Sequence, residues 1–248
     1  MTVADLDVFA DAVQFVVDER ALIAEKTWDH LLLSGAAMVV ALLLALPLGV
    51  WLGHLHRGSF VAINVANIGR ALPSLALIAI GIAFLGVGFT NVTVALIVLA
   101  IPPILTNAYV AVDGVEAEVV EAARGMGMTK RQIVWRVELP MALPLIFAGI
   151  RTAAVFVVAT ATIAAVAGGG GLGDIIVNQA GYGLEGVVGA AICVSLLALL
   201  IDGALGLVQR VVTPPGLRTT GHALEPDVMT GITRPVRSAI VESPQPPP

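Results

Sequence analysis

Five long apolar stretches leave this chain almost no choice of solvent. They are Leu31–Gly53, Phe60–Val87, Thr90–Val112, Pro144–Ala167 and Val187–Val212. A hydrocarbon layer about 30 Å thick is crossed by roughly 20 apolar residues of helix. Inside lipid every backbone N–H and C=O must be bonded within the chain, so such runs are read as helices. Only 12% of the 248 residues are charged and 58% are hydrophobic, with a mean hydropathy of +0.95. A soluble domain carries about 25% charged residues. The expected fold class is all-α integral membrane with about five transmembrane helices.

The runs are not uniform. Phe60–Val87 is too long for one straight crossing at ~1.5 Å per residue, and Pro73 lies near its middle. Proline disfavours helical geometry at the residue before it, so a kink or break is expected at Leu72. Pro47 and Gly49 sit inside the first run and are tolerable where neighbouring helices support the backbone. The third run is expected to bend around Pro102–Pro103.

Basic residues set the orientation. With the amino terminus outside, Arg57, Arg124, Lys130, Arg131, Arg136, Arg210, Arg218, Arg234 and Arg237 fall on the inner side, and only Arg20 and Lys26 outside. Arg70 and Arg151 lie within spans, completing the 13 basic residues. Nine inner against two outer residues place the amino terminus outside and the carboxyl terminus in the cytosol. Splitting the second run into a hairpin would reverse the amino end.

The flanks are simpler. Residues 1–30 are acidic and lack a basic leader, so they are not a cleavable signal peptide. Leu6, Phe9, Val13, Val16 and Val17 recur at helical spacing, which suggests a short extracytosolic interfacial helix. Residues 213–248 are proline-punctuated and read as a disordered cytosolic tail. The domain reading is therefore an outer segment 1–30, a transmembrane unit 31–212 and a tail 213–248.

Between Asp113 and Pro140 the chain turns polar. Asp113 with Glu116, and Thr129 with Gln132, have capping-box spacing, so two short helices are expected. The first places Val115, Val119, Ala122, Ala123 and Met126 on one face and ends at Gly125 and Gly127. The second runs toward Leu139, with Pro140 at the junction with the fourth run. Small residues at Ala122, Ala123 and Gly127 would let a partner backbone approach closely. Such a two-helix knob on a membrane surface suits a socket.

The spacing of Glu121, Ala122, Ala123 and Gly127 with Leu139 and Pro140 resembles the cytosolic signature of permease subunits of binding-protein-dependent, type I ATP-binding-cassette importers, with Val137 where isoleucine is usual. The resemblance implies that these six residues form a segment coupled to a separate ATPase. It also implies the type I permease fold in the cell membrane, a second permease subunit (identical or paralogous), and an extracytosolic solute-binding protein. The chain contains no phosphate-binding G-x-x-x-x-G-K-[ST], so ATP hydrolysis is expected elsewhere. Further stretches are N-I-G-R-A-L-P-S-L-A-L-I from Asn67 to Ile78, W-D-H-L before the first run, and G-G-G-G-L-G-D after the fourth. They resemble permeases for quaternary-amine osmoprotectants such as glycine betaine, choline, carnitine and proline betaine. Methionine, phosphonate or sulfonate importers are the alternative within the same family.

Charge and polarity inside the runs need a reason, since an intramembrane charge costs about 2.5–3.5 kcal/mol on the insertion scale. Arg151 and Asp202 both lie roughly 10–12 Å inside the inner boundary and are expected to pair structurally. Asn64, Asn67, Arg70 and Ser74 recur at three- and four-residue intervals, a stripe that either lines the pathway or meets the second permease. Gly168–Gly173 reads as a flexible connector or as part of an outer gate. His54 and His56 are too few for a metal site. The lone Cys193 offers neither an intrachain disulfide nor a metal site, and no cofactor, catalytic residue or nucleic-acid patch is expected. A self-sufficient secondary transporter would need inverted repeats and leaves residues 113–140 unexplained. An intramembrane enzyme would need a Ser–His, paired-acid or zinc-ligand set that the runs lack.

Overall fold

In the computed structural model, which describes residues 3–214, helices carry the chain and the described residues contain no strand. In order they are α1 (Val3–Asp18), α2 (Arg20–His54), α3 (Ser59–Ala71), α4 (Ser74–Leu85), α5 (Phe89–Asp113), α6 (Ala117–Gly125), α7 (Lys130–Ile133), α8 (Leu139–Ala161), α9 (Gly173–Val177) and α10 (Gln179–Val212). A π-helical turn, Val134–Glu138, joins α7 to α8, and a 3-10 turn, Thr162–Ala167, follows α8. Residues 215–248, most of the expected tail, lie outside the described residues.

Among the described residues four helical stretches are long and apolar enough to cross a membrane alone: α2, α5, Lys130–Ala167 and α10. The fifth crossing is made by α3 and α4 together. Pro73 supplies no N–H, and Leu72 takes an extended backbone (φ −73°, ψ 116°), so the helix breaks where the sequence expects it. Whether that break turns the chain back is settled by its contacts with α5. Thr106 Oγ1 donates to the Ala62 carbonyl at 3.4 Å, Gly69 abuts Pro102, and Asn91 Nδ2 donates to the Ile78 carbonyl at 3.2 Å. As α3–α4 advances from 62 to 78, its partner on α5 retreats from 106 to 91. The pair follows α5 from end to end as one interrupted traverse, not a hairpin. By contrast α5 runs unbroken through Pro102 and Pro103.

The core is a seam of small residues. Leu33, Ala37, Ala41, Ala45, Gly49 and Gly53 recur every fourth residue of α2 and are all buried. Helices in lipid gain little from hydrophobicity alone and associate by close packing of small side chains. Here α2 lies parallel to α5: a Cβ on Gly49 would stand 2.7 Å from the Leu105 carbonyl oxygen and 2.8 Å from the Ala108 Cβ. The sequence reading treats Gly49 as merely tolerated; in the fold it sets an interhelix distance. Packed antiparallel to α5, α8 also touches α2, where His30 Nε2 lies 3.0 Å from the Val158 carbonyl oxygen, and α10 packs on α8.

Sidedness follows from these pairings. His54, Asp113, Glu138 and the α6 segment gather at one end, called the knob side below. Lys26, Val87, Gly168 and Asp174 gather at the other, where Lys26 Nζ and Asp174 Oδ2 are 2.7 Å apart and Gly88 N donates to the Ala167 carbonyl. The helix expected near the amino end is present as α1. Its packed face is Ala12, Phe15 and Val16, set against Gly186, Gly189 and Tyr182 of α10, while Phe9, Val13 and Val17 are exposed. It therefore lies along the last span, where an interfacial helix was expected.

Candidate functional site

The knob is built by three local rules. After α5 ends, Glu116 opens α6 without a side-chain cap, so the expected Asp113–Glu116 box does not form. Asp113 instead sits 3.0 Å from His56 Nδ1 across the α2–α3 turn. Thr129 and Gln132 do form their capping box, with both reciprocal bonds present. Gly127 holds a left-handed backbone, φ +80°, and reverses the chain between the two helices. The second helix does not stop before Pro140. It runs through the π turn straight into α8, where Leu139 and Pro140 form the first two positions.

A small private core stabilises the knob. Val115, Val120, Ala123 and Ile133 are buried together, with Met128, Val137 and Met141 against them. The buried face of α6 is thus Val120 and Ala123; Ala122 and Met126, expected on it, point outward, Met126 at 72% exposure. Glu121, Ala122 and Gly127 share that outward surface. Trp135 is 65% exposed nearby. A protruding, glycine-turned hump with an apolar apex is a docking shape, with no arrangement suited to bond chemistry.

The sequence reading missed how this knob is tied to the bundle. Glu138 is almost fully buried, and both its oxygens approach His54 Nδ1, at 3.0 and 2.8 Å. The last turn of α2 is therefore fastened to the π turn that links α7 to α8. The signal was present: a lone carboxylate directly before an apolar run, and a histidine at the end of another, each needing a partner.

The other singled-out residues distribute as follows. Arg151 Nε and Nη2 donate to Asp202 Oδ1 and Oδ2 at 2.8 and 2.7 Å, and Arg151 Nη1 reaches Gln209. Gln209 Nε2 in turn donates to the Pro144 carbonyl, so one polar network joins α8 and α10. Of the polar stripe, Asn64 Nδ2 bonds back to the Phe60 carbonyl, Asn67 is exposed, and the break at Pro73 separates Ser74 from both. The side chain of Arg70 lies outside the described residues. Among the described residues no cluster of His, Cys, Asp and Glu could hold a metal ion.

Residues 45–214 match the family described as "binding-protein-dependent transport system inner membrane component". The chain belongs to that family. It is a permease subunit of a binding-protein-dependent ABC importer, embedded in the membrane, and not itself an enzyme. Among its relatives are the choline transport system permease protein OpuBB of Bacillus subtilis, 40% identical, and the glycine betaine/carnitine/choline permease OpuCB of the same organism, 42% identical. The first alignment covers 83% of this chain and 95% of the relative; the second covers 78% and 89%. The osmoprotectant import permease OsmW of Salmonella typhimurium is 34% identical over 84% of this chain and 100% of its own length. Among solved structures, the inward-facing MetNI methionine ABC transporter has a chain that superposes with a TM-score of 0.70 at 26% identity, covering 79% of this chain and 99% of that one. The permease thus has the type I fold. Members of this family work with an ATPase and a substrate-binding protein.

Proposed function

We propose that this permease carries quaternary-amine osmoprotectants, the class of glycine betaine, choline, carnitine and proline betaine. The supporting observation is the similarity to the choline and glycine betaine/carnitine/choline permeases at 40% and 42% identity along most of both chains, against 26% for the methionine transporter chain. The L-P-S-L-A-L block, which holds the helix break, supports the same subfamily.

The knob is the part on which the separate ATPase acts. Glu121, Ala122 and Gly127 face the ATPase groove; Ala123 holds α6 on its base; Leu139 and Pro140 pass the movement into α8. The His54–Glu138 tie carries it to α2 at the same time. Nucleotide-driven closure of two ATPases then rocks two permeases, identical or paralogous, between access states. The knob side is cytosolic and the amino terminus is outside, in keeping with the nine-to-two distribution of basic residues. Substrate is delivered by an extracytosolic binding protein, which holds the high-affinity site; only 5% of this chain's residues are aromatic, in keeping with a pathway of low affinity.

The test is competition in proteoliposomes holding the complete transporter, with radiolabelled choline against glycine betaine, carnitine, proline betaine, methionine and a sulfonate. Quaternary amines should compete and the others should not. Preference for methionine or a sulfonate overturns the substrate class but leaves the importer; uptake by this chain alone without ATP overturns the coupling reading.

A further inference from the structure

The Arg151–Asp202 contact lies in an open groove between α8 and α10. Its knob-side half, about 970 Å³, is walled by Pro144 and Arg151 on α8 and by Leu199, Leu200, Leu207 and Arg210 on α10. Gly203 and Gly206 leave the floor bare. A Cβ on Gly203 would meet nothing within 4 Å, and one on Gly206 would stand 3.4 Å from Arg151 Cζ. The deeper half, about 950 Å³, shares Arg151 and Leu199 and continues past Val155, Phe156 and Ala159.

The unused polar groups of this groove are donors. Arg151 carries five N–H groups. Nε and Nη2 each give one to Asp202 and Nη1 gives one to Gln209, so two have no partner among the described residues. Gln209 is engaged at both ends, accepting from Arg151 and donating to the Pro144 carbonyl. Thr213 closes the mouth, with its N–H bonded to the Gln209 carbonyl. In the deeper half the Thr152 and Ser195 hydroxyls donate to the Ala148 and Ala191 carbonyls of their own helices. The charged lining groups are Arg151, Asp202 and Arg210, two cations against one anion, for a net charge of +1. Arg210 is exposed and has no ion pair among the described residues.

Polarity thus falls in the order of a phospholipid, with a cation at the boundary, free donors below it and apolar walls beyond. We propose that the groove holds one anionic phospholipid of the knob-side leaflet. Its phosphate lies beside Arg210, its glycerol ester carbonyls accept from the free Arg151 N–H groups, and one acyl chain follows the apolar half. The length agrees. From Arg210 to Ser195 the groove follows α10 for roughly 22 Å, about half of a bilayer measured with its headgroups. Charge selects an anionic head, since a zwitterionic one brings its own cation toward Arg210. A second identical permease fits less well. Asp202 is the only acid within the five apolar runs and is already bonded to Arg151, so an identical copy has no free carboxylate to offer at this depth.

The test uses the complete transporter, stripped of lipid in detergent. Native mass spectrometry counts the added phosphatidylglycerol or phosphatidylethanolamine retained per permease. The wild type should retain phosphatidylglycerol in preference. Arg210→Gln should weaken that retention about five-fold, the effect of one basic residue near an anionic lipid. Gly203→Leu, which fills the floor at a position where a Cβ meets nothing, should abolish it. Phosphatidylglycerol should also raise the thermal midpoint of the wild type but not of Gly203→Leu. Equal retention of the two lipids, no retention, or retention unchanged in either variant overturns the site. Loss of the second permease from Gly203→Leu overturns it as well, because the groove would then be a contact between permeases.

Discussion

Gly127 allows the coupling reading to be tested with two causes held apart. Its backbone lies at φ +80°, and a Cβ added there would meet nothing within 4 Å. A side chain at this position therefore costs only backbone strain within the permease, about 1–2 kcal/mol for a non-glycine residue in the left-handed region. That is roughly a 5- to 30-fold shift away from the native turn. Asparagine tolerates this region better than alanine although it is larger. If the turn geometry is what the ATPase needs, uptake should rank Gly127 first, then Gly127→Asn, then Gly127→Ala. If only bulk against the socket matters, alanine should outrank asparagine. Gly127→Trp suffers both effects and should nearly abolish ATP-driven uptake. Because the site is exposed and outside the bundle, membrane insertion should be unchanged in all of them. The assay is uptake by the reconstituted transporter, with co-purification of the ATPase as a measure of docking. Alanine above asparagine would refute the backbone argument. Normal uptake in Gly127→Trp would reduce the knob to an ordinary loop.

Glycines on α2 make a second contrast. Gly49→Ala places a methyl 2.7–2.8 Å from α5 and should destabilise by about 1–3 kcal/mol, whereas Gly35→Ala meets nothing within 4 Å and should be neutral or slightly stabilising. Thermal unfolding in detergent followed by size exclusion reads the difference, and equal midpoints would remove the seam as a spacing device. Charge reversal at Arg151 or at Asp202 should each lower the yield of assembled permease, and the double reversal should restore it; a double variant no better than the singles would mean that the bidentate contact does not hold α8 to α10. In a Cys193→Ser background, Ala180→Cys should label from outside intact cells and Arg124→Cys only after lysis, and the opposite pattern would invert the proposed orientation.

Much of the architecture is legible in the sequence because lipid imposes one-dimensional rules. Run length alone marks Leu31–Gly53 and Thr90–Val112, and the missing N–H of Pro73 marks the break, since each depends on residues close in the chain. The Thr129–Gln132 cap is legible for the same reason. The capping box at Asp113 fails because a distant residue, His56, takes its carboxylate. On α6 the periodicity leaves Val119/Ala122 and Val120/Ala123 as rival faces; the choice between them falls to Ile133 and Met128, which the turn at Gly127 brings underneath.

Sequence by itself determined that this chain lives in a membrane, where it crosses, and that it carries the six-residue signature of its family, because hydropathy and short fixed spacings are properties of the chain before it folds. Only the tertiary structure decided that α3 and α4 make one interrupted traverse, since that depends on which residues of α5 they meet. It alone brought His54 to Glu138 across 84 positions. Each of these is a relation between surfaces of separate helices, set by packing distance and by the need of every buried polar atom for a partner, and no local pattern encodes such a relation.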